Sequence, residues 1–345
     1  MRIVVSLLVI SLLVSCKSDK SKSTDKYHEI SGQTMGTYYK VTSKYPDSLV
    51  TSVMIKAIVD GTLKEINQAV STYIEDSDIS LINQSTVHKP FGIDDKHLSY
   101  NLDRAQHWYE ETGGYMDISV MPLVNYWGFG YHKKKAVRDI DSSAVDKIRR
   151  LVGLNKWDLT NNAVTKNYNQ AQELDMSALA KGYAVDYVAH ILETFGSENY
   201  LVDIGGEAVA KGVNAKGNIW TLGISTPSPD ADIRDVELII QLEDQAMASS
   251  GNYRNFHRVG DHIYGHTMDP TTGYPYQDSL LGVSIITDMC IDADAIATAC
   301  MAMGYAKAAT FIASQPDVSA CFLVGSSDGT INTRLANGFI RYIVE

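Results

Sequence analysis

Apolar residues recur at helical spacing in two early stretches. Over residues 49–70, Val50, Val53, Ala57, Ile58, Ile66 and Ala69 fit one helix, and over residues 96–112 Leu98, Leu102, Ala105 and Trp108 share a side. Each pattern predicts an amphipathic helix. Between them residues 71–77 are polar with one aromatic, Tyr73, and ahead of them residues 27–45 read as a strand pair broken over Gly32-Gln33-Thr34-Met35-Gly36-Thr37. Gly113-Gly114 ends the second helix and opens an extended run to Gly130.

Residues 141–151 predict a short helix and residues 158–167 a hairpin turning at Asn161-Asn162. Leu174-Asp175-Met176-Ser177 is expected to cap a helix running to about Phe195. Residues 201–210 read as a strand interrupted at Gly205-Gly206, where another backbone or a ligand comes close. Strands follow over residues 220–224, 236–242 and 245–250, then a hairpin at Gly260-Asp261 and a strand over 281–287. Residues 292–303 and 305–314 are alanine-rich helices, too polar with Asp292, Asp294 and Lys307 to cross a membrane. Strands near Cys321 and Ile340 close the chain. Strands mixed with helices, without regular βαβ alternation, give an α+β fold.

Composition is that of an ordinary globular protein, 45% hydrophobic and 21% charged over 345 residues. The net charge of -11 leaves no basic excess to neutralise phosphates, so nucleic acid is not an expected partner. The basic run Lys133-Lys134-Lys135 with Arg138 reads as a solvated connection. At the N-terminus Arg2 precedes an apolar run over residues 3–14 that is too short to span a bilayer stably. The run ends Leu13-Val14-Ser15-Cys16, which resembles the lipobox of bacterial lipoproteins; a plain secretory signal is the alternative. The resemblance implies a signal peptide over residues 1–15, a diacylglyceryl group on Cys16 and a polar tether to residue 27. It places the remaining domain, residues 28–345, at the cell envelope on the periplasmic side. Cys290, Cys300 and Cys321 make no disulfide framework, and a single bridge among them is left open.

Candidate chemistry sits in three places. Gly265-His266-Thr267-Met268-Asp269-Pro270-Thr271-Thr272-Gly273-Tyr274-Pro275 carries an imidazole and a carboxylate on a segment that proline and glycine make rigid. Either it is a turn with a surface histidine or His266 moves protons, with Asp269 shaping the turn. Asp294 and Thr298, four apart on a helix, share a face and offer hard oxygens suited to Mg²⁺; alternatively Asp294 caps the helix. Lys181 in the first turn of its helix opposes the helix dipole, which makes sense beside a bound anion; the alternative is a solvent-facing lysine beside Gly182. His257, His262 and His266 lack the companions a zinc site needs, and no P-loop, dinucleotide fingerprint or nucleophile elbow is present.

These segments, in order, resemble the ApbE family of FAD:protein FMN transferases. The resemblance rests on Thr34-Met35-Gly36-Thr37, Ser71-Thr72-Tyr73 with residues 77–83, residues 114–130, residues 175–182, residues 266–273 and Asp292-Ala293-Asp294-Ala295-Ile296-Ala297-Thr298. It implies a single domain of mixed sheets and packed helices, with an FAD cleft between two halves. Met35, Tyr73, Tyr115, Met116, Asp117, Asp175, Lys181 and Met268 are implied to line the FAD site. Mg²⁺ is implied on the Ala178 carbonyl, Asp294 and Thr298, and His266 falls on the catalytic base. The implied reaction moves FMN from FAD to a Ser or Thr hydroxyl of an acceptor bearing Asp-x-x-Ser/Thr-Gly-Ala-Ser/Thr, releasing AMP; no such pattern occurs in this chain. An FAD pyrophosphatase and a non-catalytic FAD-binding lipoprotein are the alternatives. Two positions depart from the family pattern: Ala178 stands where glycine is common, and Gly265 where serine often precedes the histidine.

Overall fold

The computed structural model describes residues 26–47, 49–131, 139–159, 162–227, 235–252, 256–259, 262–276 and 279–344. The expected signal peptide, Cys16, nearly all of the tether, the basic run at 133–138, Asn161 and the Gly260-Asp261 turn lie outside them.

An eight-stranded antiparallel sheet forms the frame, and its neighbours follow chain order from one edge to the other. Its strands are β1 (Tyr27–Thr34), β2 (Thr37–Lys44), β3 (Asn199–Ile204), β4 (Glu207–Lys211), β5 (Gln245–Gly251), β6 (Leu280–Thr287), β7 (Ser319–Gly325) and β8 (Ile331–Ala336). The expected break between the first two strands narrows to a two-residue turn, Met35-Gly36, with φ of 48° and 72°. Positive φ at both positions gives the mirror-image turn whose twist suits a hairpin. Gly32 belongs to β1 instead: it faces Tyr39, whose ring fills the space a side chain would need. Gly205-Gly206 is likewise the hairpin turn between β3 and β4, and the group that comes close there is the Thr37 side chain.

Alternation along the strands splits the sheet's two faces. Ala246, Ala248, Ile285, Ala320 and Phe322 point into the main core, beside helices α1 (Ser52–Val70), α2 (Asp78–Gln84), α3 (Lys96–Glu111), α6 (Ala180–Thr194) and α7 (Cys290–Met303). Met247, Ile286, Cys321 and Leu323 point the other way, into a second core with the ribbon Trp220–Ser225 and Val236–Leu242 and the turn Phe339–Tyr342. A third, smaller core joins α4 (Met121–Tyr126), α5 (Ser142–Arg149) and the hairpin leading to His266, around Leu123, Trp127, Val145, Tyr264 and Met268. Helix α8 (Tyr305–Ala313) follows α7 directly. The α+β expectation holds, and no helix of the described residues is long and apolar enough to cross a membrane. Cys290, Cys300 and Cys321 are buried free thiols, so the bridge left open by the sequence does not form.

Four local expectations are corrected. Residues 114–130 are not extended: a tight turn at Ile118–Val120 leads into α4, because Asp117 accepts the Ser119 amide, Pro122 suits a helix start, and Leu123 and Trp127 bury one face. Helix α2 was not foreseen; Ser77 caps it by accepting the Ser80 amide. Asp175 and Ser177 do not cap α6, which starts at Ala180; the Asp175 carboxylate instead accepts the Ser177 amide and hydroxyl at 3.1 and 2.7 Å. The chain's last strand is Ile331–Ala336, and Ile340 lies on a 3₁₀ turn with its side chain outward.

Gly61 sits exposed within α1, and a methyl group there meets nothing within 4 Å. Gly61→Ala is expected to raise unfolding free energy by about 0.5–1 kcal/mol, since a helical glycine costs that much relative to alanine. Urea titration of the two proteins measures it.

Candidate active site

Between the main core and the third core lies a cavity of about 700 Å³. That volume suits a large organic ligand. The β1–β2 turn contributes Met35, the loop after α1 contributes Tyr73, and the segment before α4 contributes Tyr115 and Asp117. Asp175 and Ala178 come from the approach to α6, Lys181 from its first turn, Thr298 from α7, and His266 and Met268 from the third core's hairpin. Phe129 adds an aromatic wall that the sequence reading did not single out. Two residues of the expected set stand behind this surface. Met116 is fully buried in the main core with its amide on the Thr112 hydroxyl, and Asp294 is 2% exposed.

Helices α6 and α7 meet at the site. A methyl group at Gly182 would lie 2.3 Å from the Cys290 carbonyl oxygen, so the crossing has room only for glycine. The contact is fastened twice. The Gly182 amide donates to Asp294 Oδ2 at 3.0 Å, and Asp186 of α6 accepts the Cys290 and Ile291 amides, both at 2.9 Å. Asp186 therefore caps α7 from another helix. Burial pushes its carboxyl up to about 7 despite those two bonds.

All of α7 is buried except Asp292 and Thr298. Asp292 turns to Arg104, at 2.5 Å, and to the Trp108 indole, at 2.7 Å. Asp294 does not cap the helix; it lies beyond the first turn and faces α6. Lys181 is not a solvent-facing lysine. Its ammonium lies 3.0 Å from Glu207 Oε1 and 3.6 Å from Asp294 Oδ2. Burial alone would lower its pKa, but the two carboxylates outweigh it and hold the ammonium charged. Burial pushes Glu207 well above the usual carboxylate range, and Asp294 is raised for the same reason.

The residues around Asp294 fit a hard divalent cation. The amide expected to bond the Ala178 carbonyl, that of Gly182, goes to Asp294, and no other backbone amide of the described residues reaches that carbonyl. A free carbonyl, a buried carboxylate and the Thr298 hydroxyl form an oxygen set that Mg²⁺ accepts with water and substrate completing its shell. Alanine at 178 is compatible, because the backbone oxygen is the ligand. No three His, Cys, Asp or Glu side chains gather as a metal cage among the described residues. His257 instead stacks on Phe129 at 4.3 Å.

The His266 segment is as rigid as its composition predicts. Asp269 Oδ1 accepts the Thr271 amide and hydroxyl at 2.8 and 2.6 Å, its backbone pairs with Gly273 and Tyr274, and the Trp127 indole donates to the Gly273 carbonyl at 3.0 Å. Asp269 shapes the turn. His266 is exposed at the cavity, in an edge-type contact with Phe129 whose ring centroid lies 6.4 Å away. Glycine precedes it for a steric reason: a side chain at Gly265 would meet Asn252, 2.4 Å away. Asp117, bonded to Ser119, is pushed up to about 6 by burial. Tyr115 carries Lys307 over its ring at 4.9 Å and bonds it through the hydroxyl. Tyr73, 71% exposed, stands at the rim.

The sequence reading missed Glu207, Asp186, Phe129, Asn252 and Lys307. Glu207 had one available signal, a carboxylate directly after a Gly-Gly turn.

An α+β frame with a large cavity, a buried carboxylate–ammonium cluster and an exposed histidine lining the cavity is the make-up of a ligand-processing enzyme. The ApbE family model matches residues 35–322, and the chain belongs to that family. It is 34% identical over 325 residues to the FAD:protein FMN transferase of Vibrio cholerae serotype O1, spanning 94% of each chain. The corresponding Haemophilus influenzae protein is 32% identical, with 96% of each chain covered. The solved structure of the flavin transferase ApbE from Vibrio cholerae superposes with a TM-score of 0.83 at 32% identity, over 92% of this chain and 99% of that one.

Proposed function

We propose that this enzyme transfers FMN from FAD to a serine or threonine hydroxyl of an acceptor protein, releasing AMP. The observation that carries the reading is the cavity itself. His266, Lys181, Thr298 and Ala178 all line it, among apolar and aromatic walls. Met35, Tyr115, Phe129 and Met268 offer contacts for a flavin or adenine ring. Asp117 and Asp175 offer acceptors for ligand donors.

The acceptor hydroxyl attacks the FMN-side phosphorus of the anhydride. The phosphorus–oxygen bond to AMP breaks, AMP leaves with the electron pair, and a phosphoester to the acceptor forms. His266 takes the hydroxyl proton, which makes a poor nucleophile competent. The Ala178 carbonyl, Asp294 and Thr298 would hold Mg²⁺, which when bound would supply charge neutralisation at the pyrophosphate. Lys181 keeps the pocket from accumulating negative charge around Asp294 and Glu207.

The acceptor is a separate protein carrying Asp-x-x-Ser/Thr-Gly-Ala-Ser/Thr. A lipid on Cys16, followed by the polar tether, keeps the domain from residue 28 onward at the membrane surface, where an acceptor subunit of a redox complex stands within reach. Incubation with FAD, Mg²⁺ and an acceptor domain is expected to add one FMN to the acceptor, seen by mass spectrometry, with one AMP released. AMP release without a mass gain would make the protein a pyrophosphatase. Bound FAD with neither product would make it a carrier.

A further inference from the structure

Glu207 is a buried carboxylate that neither the sheet nor the flavin chemistry requires. It opens β4 immediately after the Gly205-Gly206 turn and is 3% exposed. Oε1 takes the Lys181 ammonium at 3.0 Å, while Oε2 is buried with no hydrogen-bond partner. A half-satisfied buried carboxylate is rare in native proteins and calls for an explanation other than packing.

The explanation lies in what Lys181 does otherwise. Its ammonium is also 3.6 Å from Asp294 Oδ2, the oxygen that the Gly182 amide holds. An ammonium and a divalent cation compete for the same carboxylate, because each repels the other. With Glu207 present and both carboxyls ionised, two carboxylates share one ammonium and the cluster carries a net charge of about −1. Without it, Lys181 and Asp294 neutralise each other, and a cation entering from the cavity meets no net attraction.

We propose that Glu207 is a positioning residue: it draws Lys181 away from Asp294 and so leaves that carboxylate open to a divalent cation. The inference rests on the proposed metal site at Ala178, Asp294 and Thr298. Glu207 does not line the cavity; it acts through Lys181.

Mn²⁺ alone, without FAD, is the probe, counted by the electron paramagnetic resonance signal of the free aquo ion. Glu207→Gln is isosteric and is expected to weaken Mn²⁺ binding about tenfold, as loss of one nearby negative charge should. Glu207→Ala gives a second charge-removing variant should the glutamine not fold, and circular dichroism checks folding. The double variant Lys181→Met with Glu207→Gln returns the cluster to its original net charge and is expected to bind Mn²⁺ within about threefold of wild type. A purely structural role predicts no such rescue. Wild-type affinity in Glu207→Gln, or a double variant as weak as the single, overturns the inference. Asp294→Asn separates the two readings: if it binds Mn²⁺ like wild type, the metal site itself is wrong and the role of Glu207 falls with it.

Discussion

His266→Ala is expected to slow flavin transfer by roughly 10²–10⁴-fold, the usual contribution of a positioned general base, while FAD binding and folding stay intact. The separation follows from where the residue sits. His266 is exposed at the cavity, whereas the turn beyond it is held by Asp269, Gly273, Tyr274 and the Trp127 indole. Removing the imidazole takes away none of those bonds. The apolar and aromatic walls from Met35, Tyr115, Phe129 and Met268 are untouched, so the ligand retains most of its contacts. In-gel flavin fluorescence of the acceptor gives the rate, and quenching of free FAD gives the affinity. A variant within tenfold of wild type in transfer removes His266 from the proton-transfer step. One that no longer binds FAD makes it a binding residue instead.

The hydrophobic pattern located both long helices, but it gave the inner face only of α3, where Leu98, Leu102, Ala105 and Trp108 are buried. In α1 the pattern's Val53 and Ala57 are exposed, and the buried stripe runs through Ile55, Val59, Leu63 and Ile66 instead. The pattern gave no periodicity for α7, which is buried nearly all round, and there the alanine content carried the reading. It failed at α4. Val120 and Val124 favour strand locally, and the helix is decided by Leu123 and Trp127 packing on residues far along the chain, Tyr264 among them. At seven residues α2 was too short to show a period.

The site was legible to a different extent. The residues taken from the family resemblance reach the cavity from six separate segments, Met116 and Asp294 excepted, and composition could not have gathered them. What no local pattern contains is the partnership among Lys181, Glu207 and Asp294. One helix start, one strand start and one buried helix supply it, and only the close crossing of α6 and α7 brings them together. Lys181 looked like a cation awaiting an anion; the anions it found are the protein's own.

That crossing is where a single methyl group should do most damage. Gly182→Ala is expected to destabilise the fold by about 2 kcal/mol or more, against the usual helical preference for alanine. The added Cβ would stand 2.3 Å from the Cys290 carbonyl oxygen and 2.7 Å from the Ile291 Cα. Those are backbone atoms at the start of a buried helix, so no side chain can rotate away. Relief requires α6 and α7 to part. Parting lengthens the bond from the Gly182 amide to Asp294 and the two bonds from Asp186 to the first turn of α7. The proposed cation site draws Ala178 from the approach to α6 and Asp294 and Thr298 from α7, so Mn²⁺ affinity should fall together with stability. Urea denaturation and the Mn²⁺ titration, run beside Gly61→Ala as the opposite case, measure both. A Gly182→Ala protein as stable as wild type would mean that the two helices have slack at their crossing. The proposed cation site would then be tuned by its side chains alone.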